Sequence, residues 1–289
     1  MPESPRFSVT IPAYNAASTL AETVASVQAQ TFADWELVIV DDGSTDDTLA
    51  LAESFASADP RIRVISQENR GSGGAYNTAV RNARAELLVM LSADDLLMPE
   101  HLATMDALIA DNPDASIFTV GGWYEYDDGS RELQRLHEAW ADAGECTLTD
   151  LLSACFFNMG AVYRREVFDA VGGFREDIYA EDYPFFLMAM AKGFTHRMAP
   201  QPLAVHRRSS AQKSADHLRV RRADLAAVRE VLATGLLSAA EQVAARHAVG
   251  RLKRNILVRS VLGAVAGPEA AQRIINALRR RPAPGGDAR

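Results

Sequence analysis

Three acidic clusters hold the chemistry open to this chain. Asp41-Asp42-Gly43-Ser44 follows the apolar run Leu37–Val40, and Ser92-Ala93-Asp94-Asp95 follows Leu87–Leu91. Glu181-Asp182 stands between the Gly172-Gly173 break and the aromatic-rich run from Tyr183 to Leu187. Adjacent carboxylates at the end of a buried strand repel each other and resist desolvation, so they call for a cation. A divalent ion held by one or two carboxylates and a substrate diphosphate meets that need in phosphate chemistry. One such pair alone serves equally well as a helix N-cap or an exposed turn. Three of them, each at the end of an element, point to a reaction.

The elements that must position these clusters alternate between two periods. Phe7–Ile11, Glu36–Asp41, Ile62–Ser66 and Leu87–Leu91 are short, apolar, β-rich runs that read as strands buried on both faces. Between them Leu20, Val24 and Val27 recur at helical spacing behind a Thr19–Glu22 capping box. Ser44 and Asp47 repeat that box before a second helix, Leu49–Phe55, and Asn77–Ala85 supplies a third. Strand–helix–strand repeated in this way predicts an α/β fold with a mostly parallel sheet and right-handed crossovers. Ligands bind such sheets at the carboxyl ends of the strands, where Pro12–Asn15, Asp41–Ser44 and Ser92–Asp95 fall. Further on, Ser116–Val120 and Trp123–Tyr126 read as two strands, and Leu148–Cys155, Arg165–Ala170 and Tyr183–Lys192 as helices. Ala215–Arg280 reads as three helices broken near Gly235 and at Gly267-Pro268, with Pro282–Arg289 a frayed, disordered tail.

Composition excludes several classes. At 289 residues, 48% hydrophobic and 24% charged, the chain is neither disordered nor collagenous. Its two cysteines, Cys146 and Cys155, fit neither a disulfide framework nor a structural zinc site. No apolar run reaches the roughly 18 residues of a membrane span, and the N-terminus lacks a basic segment followed by an apolar one. These features predict a cytoplasmic protein. Residues 1–199 carry 13 Lys and Arg against 32 Asp and Glu, whereas residues 200–289 carry 17 against 6. Either the two parts complement each other within one fold, or the basic part meets an anionic partner such as a nucleotide, a nucleic acid or the inner face of a membrane.

The motifs Val9–Asn15 (VTIPAYN), Glu36–Thr48 (ELVIVDDGSTDDT), Asn69–Asn77 (NRGSGGAYN), Leu91–Leu96 (LSADDL) and Gly172–Tyr183 (GGFREDIYAEDY) occur in this order across residues 6–210. Together they resemble a family 2 glycosyltransferase of the GT-A fold. The resemblance implies a nucleotide-sugar donor carrying UDP or dTDP, a divalent Mn²⁺ or Mg²⁺, and inversion at the anomeric carbon. It divides the chain into a glycosyltransferase domain, residues 1–210, a basic helical region, 211–281, and the tail, 282–289.

Carried over residue by residue, Pro12, Ala13, Tyr14 and Asn15 line the base pocket, and Asp41, with Asp42 beside it, accepts a pyrimidine N–H. Asp94 and Asp95 match the ribose and metal end of the family's D-x-D motif. Ser92 departs from it, since an Asp is expected there, and this weakens a ribose or water-mediated metal contact. Arg70 and the loop Gly71–Gly74 fall where backbone N–H groups can approach the donor, or form a plain turn. Glu181-Asp182 matches the acidic pair whose Asp is the general base, taking the acceptor hydroxyl proton as the leaving group departs from the opposite face. His206 is the candidate third metal ligand, although a gapless match puts Ser209 at that position. Arg207 and Arg208 offer guanidinium forks to a diphosphate.

Trp123, Tyr124 and Tyr126 are either an acceptor-stacking face or core. The Gln-x-x-Arg-Trp signature of processive synthases is absent, which favours one sugar per encounter. The acceptor is a glycan, a lipid-linked sugar or a small molecule rather than nucleic acid. The basic C-terminal helices suit a peripheral membrane contact or a homodimer. The rival reading is a glycosyltransferase-like binding or scaffold subunit that has lost catalysis. Ser92 supports that rival, and the retained Asp41, Asp94, Asp95, Glu181 and Asp182 oppose it.

Overall fold

The computed structural model describes residues 4–134, 144–153, 160–208 and 216–266. Strands β1 (Phe7–Ala13), β2 (Trp35–Asp41), β3 (Ile62–Ser66) and β4 (Leu87–Met90) alternate with helices α1 (Leu20–Gln28), α2 (Thr48–Ala58) and α3 (Gly71–Asn82). The four strands are parallel in the order β3-β2-β1-β4. Their register aligns Ala13, Asp41 and Ser66 at one edge. β2 is buried throughout, as its unbroken apolar run requires, but β3 is an edge strand and only half-buried, not covered on both faces as its apolar run predicts.

The sheet continues through β8 (Val162–Arg164), antiparallel to β4, then β6 (Ile117–Tyr126), β9 (His196–Arg208) and β5 (Leu96–Leu97), with β7 (Arg131–Leu133) beside β6. The two strands expected at 116–126 are one. The Gly121-Gly122 pair that reads as a break sits where the β6–β9 register shifts, and a Cβ on Gly121 would lie 2.6 Å from the Pro200 carbonyl oxygen. Glycine here permits close strand approach rather than ending the strand.

Helix starts also differ from the sequence signals. The Thr19 hydroxyl caps no N–H and instead donates to the Ala93 carbonyl, 2.9 Å away. Ser44 accepts from the Asn15 amide, while Asp46 accepts from the amides of Ala17 and Thr48. Neither predicted capping box forms, because these side chains tie one loop to another. Helix α3 begins at Gly71 rather than Asn77, so the supposed Gly71–Gly74 loop is its first turn. Its glycines answer crowding: a Cβ on Gly73 would meet the Arg175 carbonyl oxygen at 2.3 Å.

The remaining helices are α4 (His101–Asp111), α5 (Leu148–Ser153), α6 (Arg165–Val171), α7 (Asp182–Ala191), α8 (His217–Ala233) and α9 (Ala239–Ala266). One face of the sheet buries Val9, Ile11, Leu37 and Ile39 against α1 and α4. The other buries Leu88, Met90, Tyr163, Phe174, Phe185 and Phe186 together with Val228, Val231 and Leu252 of α8 and α9. The two C-terminal helices thus share a core with the strand ends they flank. Cys155, Ser209, the expected third C-terminal helix with Arg279–Arg281, and the tail lie outside the described residues.

Candidate active site

The loops after β1 and β2 form the first part of the site and are laced together. The Asp42 amide donates to the Ala13 carbonyl at 2.8 Å, and the Thr45 amide donates to Asn15 Oδ1 at 2.8 Å. Asn15 holds φ at 49°, in the left-handed region that Asn tolerates better than most side chains. Ala13 is buried, Pro12 half-buried, and Tyr14 stands 52% exposed at the loop tip.

Asp41 and Asp42 are both buried but differently bonded. Asp42 Oδ1 accepts short bonds from Gln67 Nε2 at 2.7 Å and the Arg70 amide at 2.9 Å, which fixes the turn into α3. Asp41 accepts only long ones, from the Ser44 amide at 3.4 Å and the Ser66 hydroxyl at 3.3 Å. A buried carboxylate so loosely held has capacity left for a ligand N–H, whereas Asp42 is occupied with structure.

The second part lies beyond β4. Antiparallel pairing of Leu96 with Val205 puts Asp95 next to His206. The fully buried Asp95 carboxylate meets His206 Nδ1 at 3.1 and 3.2 Å and accepts from the Arg207 amide at 3.0 Å. Burial works against a charged His206, but the Asp95 charge and hydrogen bond, with Asp94 behind, hold its pKa above the usual imidazole value. Tyr124 presents its ring to His206 at 5.9 Å between centroids, and the Arg208 guanidinium lies 4.0 Å over the same ring. Arg207 was expected to face a diphosphate. Its guanidinium instead bridges Glu125 and Glu22, two carboxylates that already neutralise it. Tyr126 donates to Glu132 at the rim.

The third part is the start of α7, where Glu181 is the N-cap residue and Asp182 opens the helix, both half-buried. The segment leading to them is clamped. Asn77 donates to the Phe174 carbonyl and to Glu176, and accepts from the Phe174 amide at 2.8 Å. Arg70 grips Glu176 through both ends of its guanidinium, so its side chain is committed to this clamp rather than held out to a donor. Behind the pair, Phe174 and Phe185 stack at 4.2 Å beside Tyr163 and Phe186. The two acids act on different buried groups: Glu181 on the Tyr76 phenol, Asp182 on the Asp224 carboxylate of α8. Asn77 and Tyr76 sit inside a recognised motif but carried no assigned role. Glu176 likewise lies inside the Gly172–Tyr183 motif without a role, and only Asp224 gave no sequence signal at all.

Among the described residues no three His, Cys, Asp or Glu side chains converge as a ready metal cluster. Asp95 and His206 meet, with Asp94 next in the chain. Carboxylate and imidazole are donor types that a divalent ion such as Mn²⁺ accepts beside substrate oxygens.

Residues 8–172 match the family model for glycosyl transferase family 2. This chain belongs to that family. The glycosyltransferase is 34% identical to the chondroitin synthase of Escherichia coli over 195 residues, 66% of this chain and 28% of that one. It is 30% identical to the uncharacterized glycosyltransferase EpsJ of Bacillus subtilis over 213 residues, 70% of this chain and 61% of that one. The chain thus spans less than two thirds of the length of these relatives. Among solved structures it resembles S. aureus TarS 1–349, with a TM-score of 0.71 at 20% identity over 94% of this chain and 79% of that one. It also resembles the mannosyltransferase PcManGT from Pyrobaculum calidifontis, solved with GDP-Man and Mn²⁺. That match has a TM-score of 0.67 at 20% identity and covers 96% and 80% of the two chains. The GT-A type α/β fold expected from the motifs is therefore the fold observed.

In this glycosyltransferase Asp224 yields a pH prediction. Burial, joined by the Asp182 charge, raises its pKa from 3.8 to about 6 despite Arg221 at 2.7 Å and Arg251. A carboxyl whose folded pKa exceeds its unfolded one contributes fully below about 3.8, and that contribution is lost as pH rises through about 6. The loss is on the order of 3 kcal/mol. Melting curves of wild type and Asp224→Asn from pH 4 to 8 should therefore diverge, with the variant losing less stability as pH rises. Parallel curves would contradict the burial argument.

Proposed function

We propose that this glycosyltransferase moves one sugar per encounter from a UDP- or dTDP-linked donor to an acceptor hydroxyl, with inversion. The observation that carries the reading is the buried Asp95 carboxylate meeting His206 at 3.1 Å, on the sheet edge that also bears the loosely bonded Asp41. Asp41 accepts the base N–H, and Pro12, Ala13 and Tyr14 flank the ring. Asp182, backed by Glu181, takes the acceptor hydroxyl proton on the face opposite the leaving diphosphate. A divalent ion on Asp94, Asp95 and His206 would neutralise charge growing on that diphosphate. The aromatic side chains behind α7 keep water from the base side, and the Asn77–Glu176–Arg70 clamp fixes the segment that carries it.

Melting with nucleotides tests this. A ligand at 100 times its Kd stabilises a fold by about 2.7 kcal/mol. UDP or dTDP with Mn²⁺ should raise the melting temperature, and Asp41→Ala should lose most of the rise. ADP and CDP, whose bases lack a ring N–H, should do little. GDP belongs in the panel because PcManGT holds GDP-Man. Equal shifts for every nucleotide would sink the assignment. The alternative, a binding or scaffold subunit, is favoured only by Ser92 and requires donor binding without metal-dependent transfer.

We assign the basic C-terminal helices, within residues 211–281, to bracing the base-bearing helix α7, as their shared core with Phe185 and Phe186 suggests. No helix of the described residues is long and apolar enough to cross a membrane. Helix α9 nevertheless exposes Leu257, Val258 and Val261 near Lys253 and Arg254, a face suited to a second subunit or to an anionic membrane at the cytoplasmic side. Salt-sensitive sedimentation with anionic but not neutral vesicles would select the membrane, and its absence would exclude it.

A further inference from the structure

The segment that leads to Asp182 has no regular structure of its own. Residues 175–181 form neither helix nor strand, and they run between Phe174 in the core and Asp182 at the start of α7. Loops that carry reactive groups take their position from the rigid elements that hold them. Here two neighbouring residues of opposite charge are drawn to opposite sides. Glu176 goes to α3, where Arg70 grips it at 2.7 and 2.9 Å and Asn77 donates at 3.1 Å. Arg175 goes to α8, where its guanidinium pairs with Glu230 while also holding Asp177 at 2.9 Å.

Helix α8 holds the segment a second time. The Arg219 guanidinium lies 4.3 Å over the ring of Tyr179, three residues before Asp182. Glu230 and Arg219 stand about three turns apart on one side of α8, so one helix face reaches both the beginning and the end of the segment. Val228 and Val231 of the same helix are buried with Phe185 and Phe186, which fixes α8 against α7. The contacts to the segment itself are made at the surface: the Arg175 and Glu230 side chains are 39% and 43% exposed. An exposed ion pair adds little to folding stability, so what this one sets is the course of the chain.

We propose that Glu230 and Arg219 of α8 are positioning residues for the general base. This rests on the function proposed above, in which Asp182 takes the acceptor hydroxyl proton. Such a transfer requires the base within hydrogen-bond reach of the hydroxyl, and a misplacement of about 1 Å can cost 10²-fold in rate. The family match ends at residue 172, so both the segment and α8 lie outside the matched residues. The C-terminal region then does more than complete the core, because it aims the base that the preceding segment delivers.

The test compares Glu230→Gln, Arg219→Gln and the charge-keeping Glu230→Asp with a control, Asp106→Asn, which removes a partly exposed ion pair to Arg6 elsewhere on the molecule. With Mn²⁺ present and water as the acceptor, release of nucleoside diphosphate is followed from UDP-GlcNAc, UDP-glucose, dTDP-glucose and GDP-mannose. Glu230→Gln and Arg219→Gln should each lower turnover about tenfold. They should leave nucleoside diphosphate affinity within about twofold and the melting temperature within about 3 °C. Glu230→Asp should recover most of the loss, and Asp106→Asn should match wild type. In an Asp182→Asn background the α8 substitutions should cost nothing further, because the group they position is gone. Three results overturn the inference while leaving the function standing: unchanged turnover in both α8 variants, a loss of nucleotide affinity as large as the loss of turnover, or the same tenfold loss in the Asp182→Asn background. If Asp182→Asn is as fast as wild type, or wild type turns over none of these donors, the function reading falls and the inference with it.

Discussion

Asp182→Asn should bind donor nucleotide and metal as wild type does, yet transfer sugar roughly 10²–10⁴-fold more slowly, the usual worth of general-base assistance. That corresponds to about 3–5 kcal/mol of barrier. The residue opens helix α7, where the first-turn N–H groups favour a carboxylate, as the proposed base requires. Glu181 precedes it, and Asp224 couples to it from helix α8. Glu181→Gln should be milder, since that carboxylate acts towards Tyr76 instead. Transfer rate and nucleotide affinity measured side by side in both variants decide the matter. A fully active Asp182→Asn, or a Glu181→Gln that is the more damaged of the two, would reassign the base.

The parallel half of the fold was legible because its physics is local. β1, β2 and β4 are buried apolar runs, and the last two must end where carboxylates begin, so Asp41 and Asp94-Asp95 could be put at strand ends from the sequence. The distinction between Asp41 and Asp42 was not legible. Adjacent in sequence and alike in chemistry, they separate only when Gln67 and the Arg70 amide occupy one and not the other. Glycine misled twice for a single reason. At Gly71–Gly74 and at Gly121-Gly122 it reads locally as a break, but the structure uses it for close approach of distant backbone, at Arg175 and at Pro200. The predicted capping boxes failed similarly, since Thr19 and Ser44 found partners across loops. Asp224 shows the limit most clearly. An Asp within a polar helical stretch looks solvent-facing until α8 packs it beside α7.

Asp95→Asn should abolish metal-dependent donor binding with little change in shape. The carboxylate is fully buried and serves two donors at once, His206 and the Arg207 amide. Both donors reach Oδ1, so an amide of the same outline keeps one acceptor for them but loses the charge and sets an NH₂ group where Oδ2 met the imidazole. Loss of a charge-assisted hydrogen bond at a buried site costs roughly 2 kcal/mol, which should appear as a lower melting temperature without ligand. The larger consequence falls on the donor. In the proposed site, with the anionic oxygen gone, Mn²⁺ would have only Asp94 and His206 to hold it, and transfer should fall by roughly 10²–10³-fold, the scale seen when one electrostatic stabiliser of a leaving or attacking oxygen is removed. Asp94→Asn, at a half-exposed position, should be less severe. His206→Ala separates the two jobs of Asp95: it removes the imidazole and leaves the carboxylate free, so metal-dependent stabilisation by UDP should weaken without vanishing. If Asp95→Asn keeps the full Mn²⁺-dependent melting shift, the metal is held elsewhere, and the Asp95–His206 pair is a structural tie between β5 and β9 rather than the floor of the donor site.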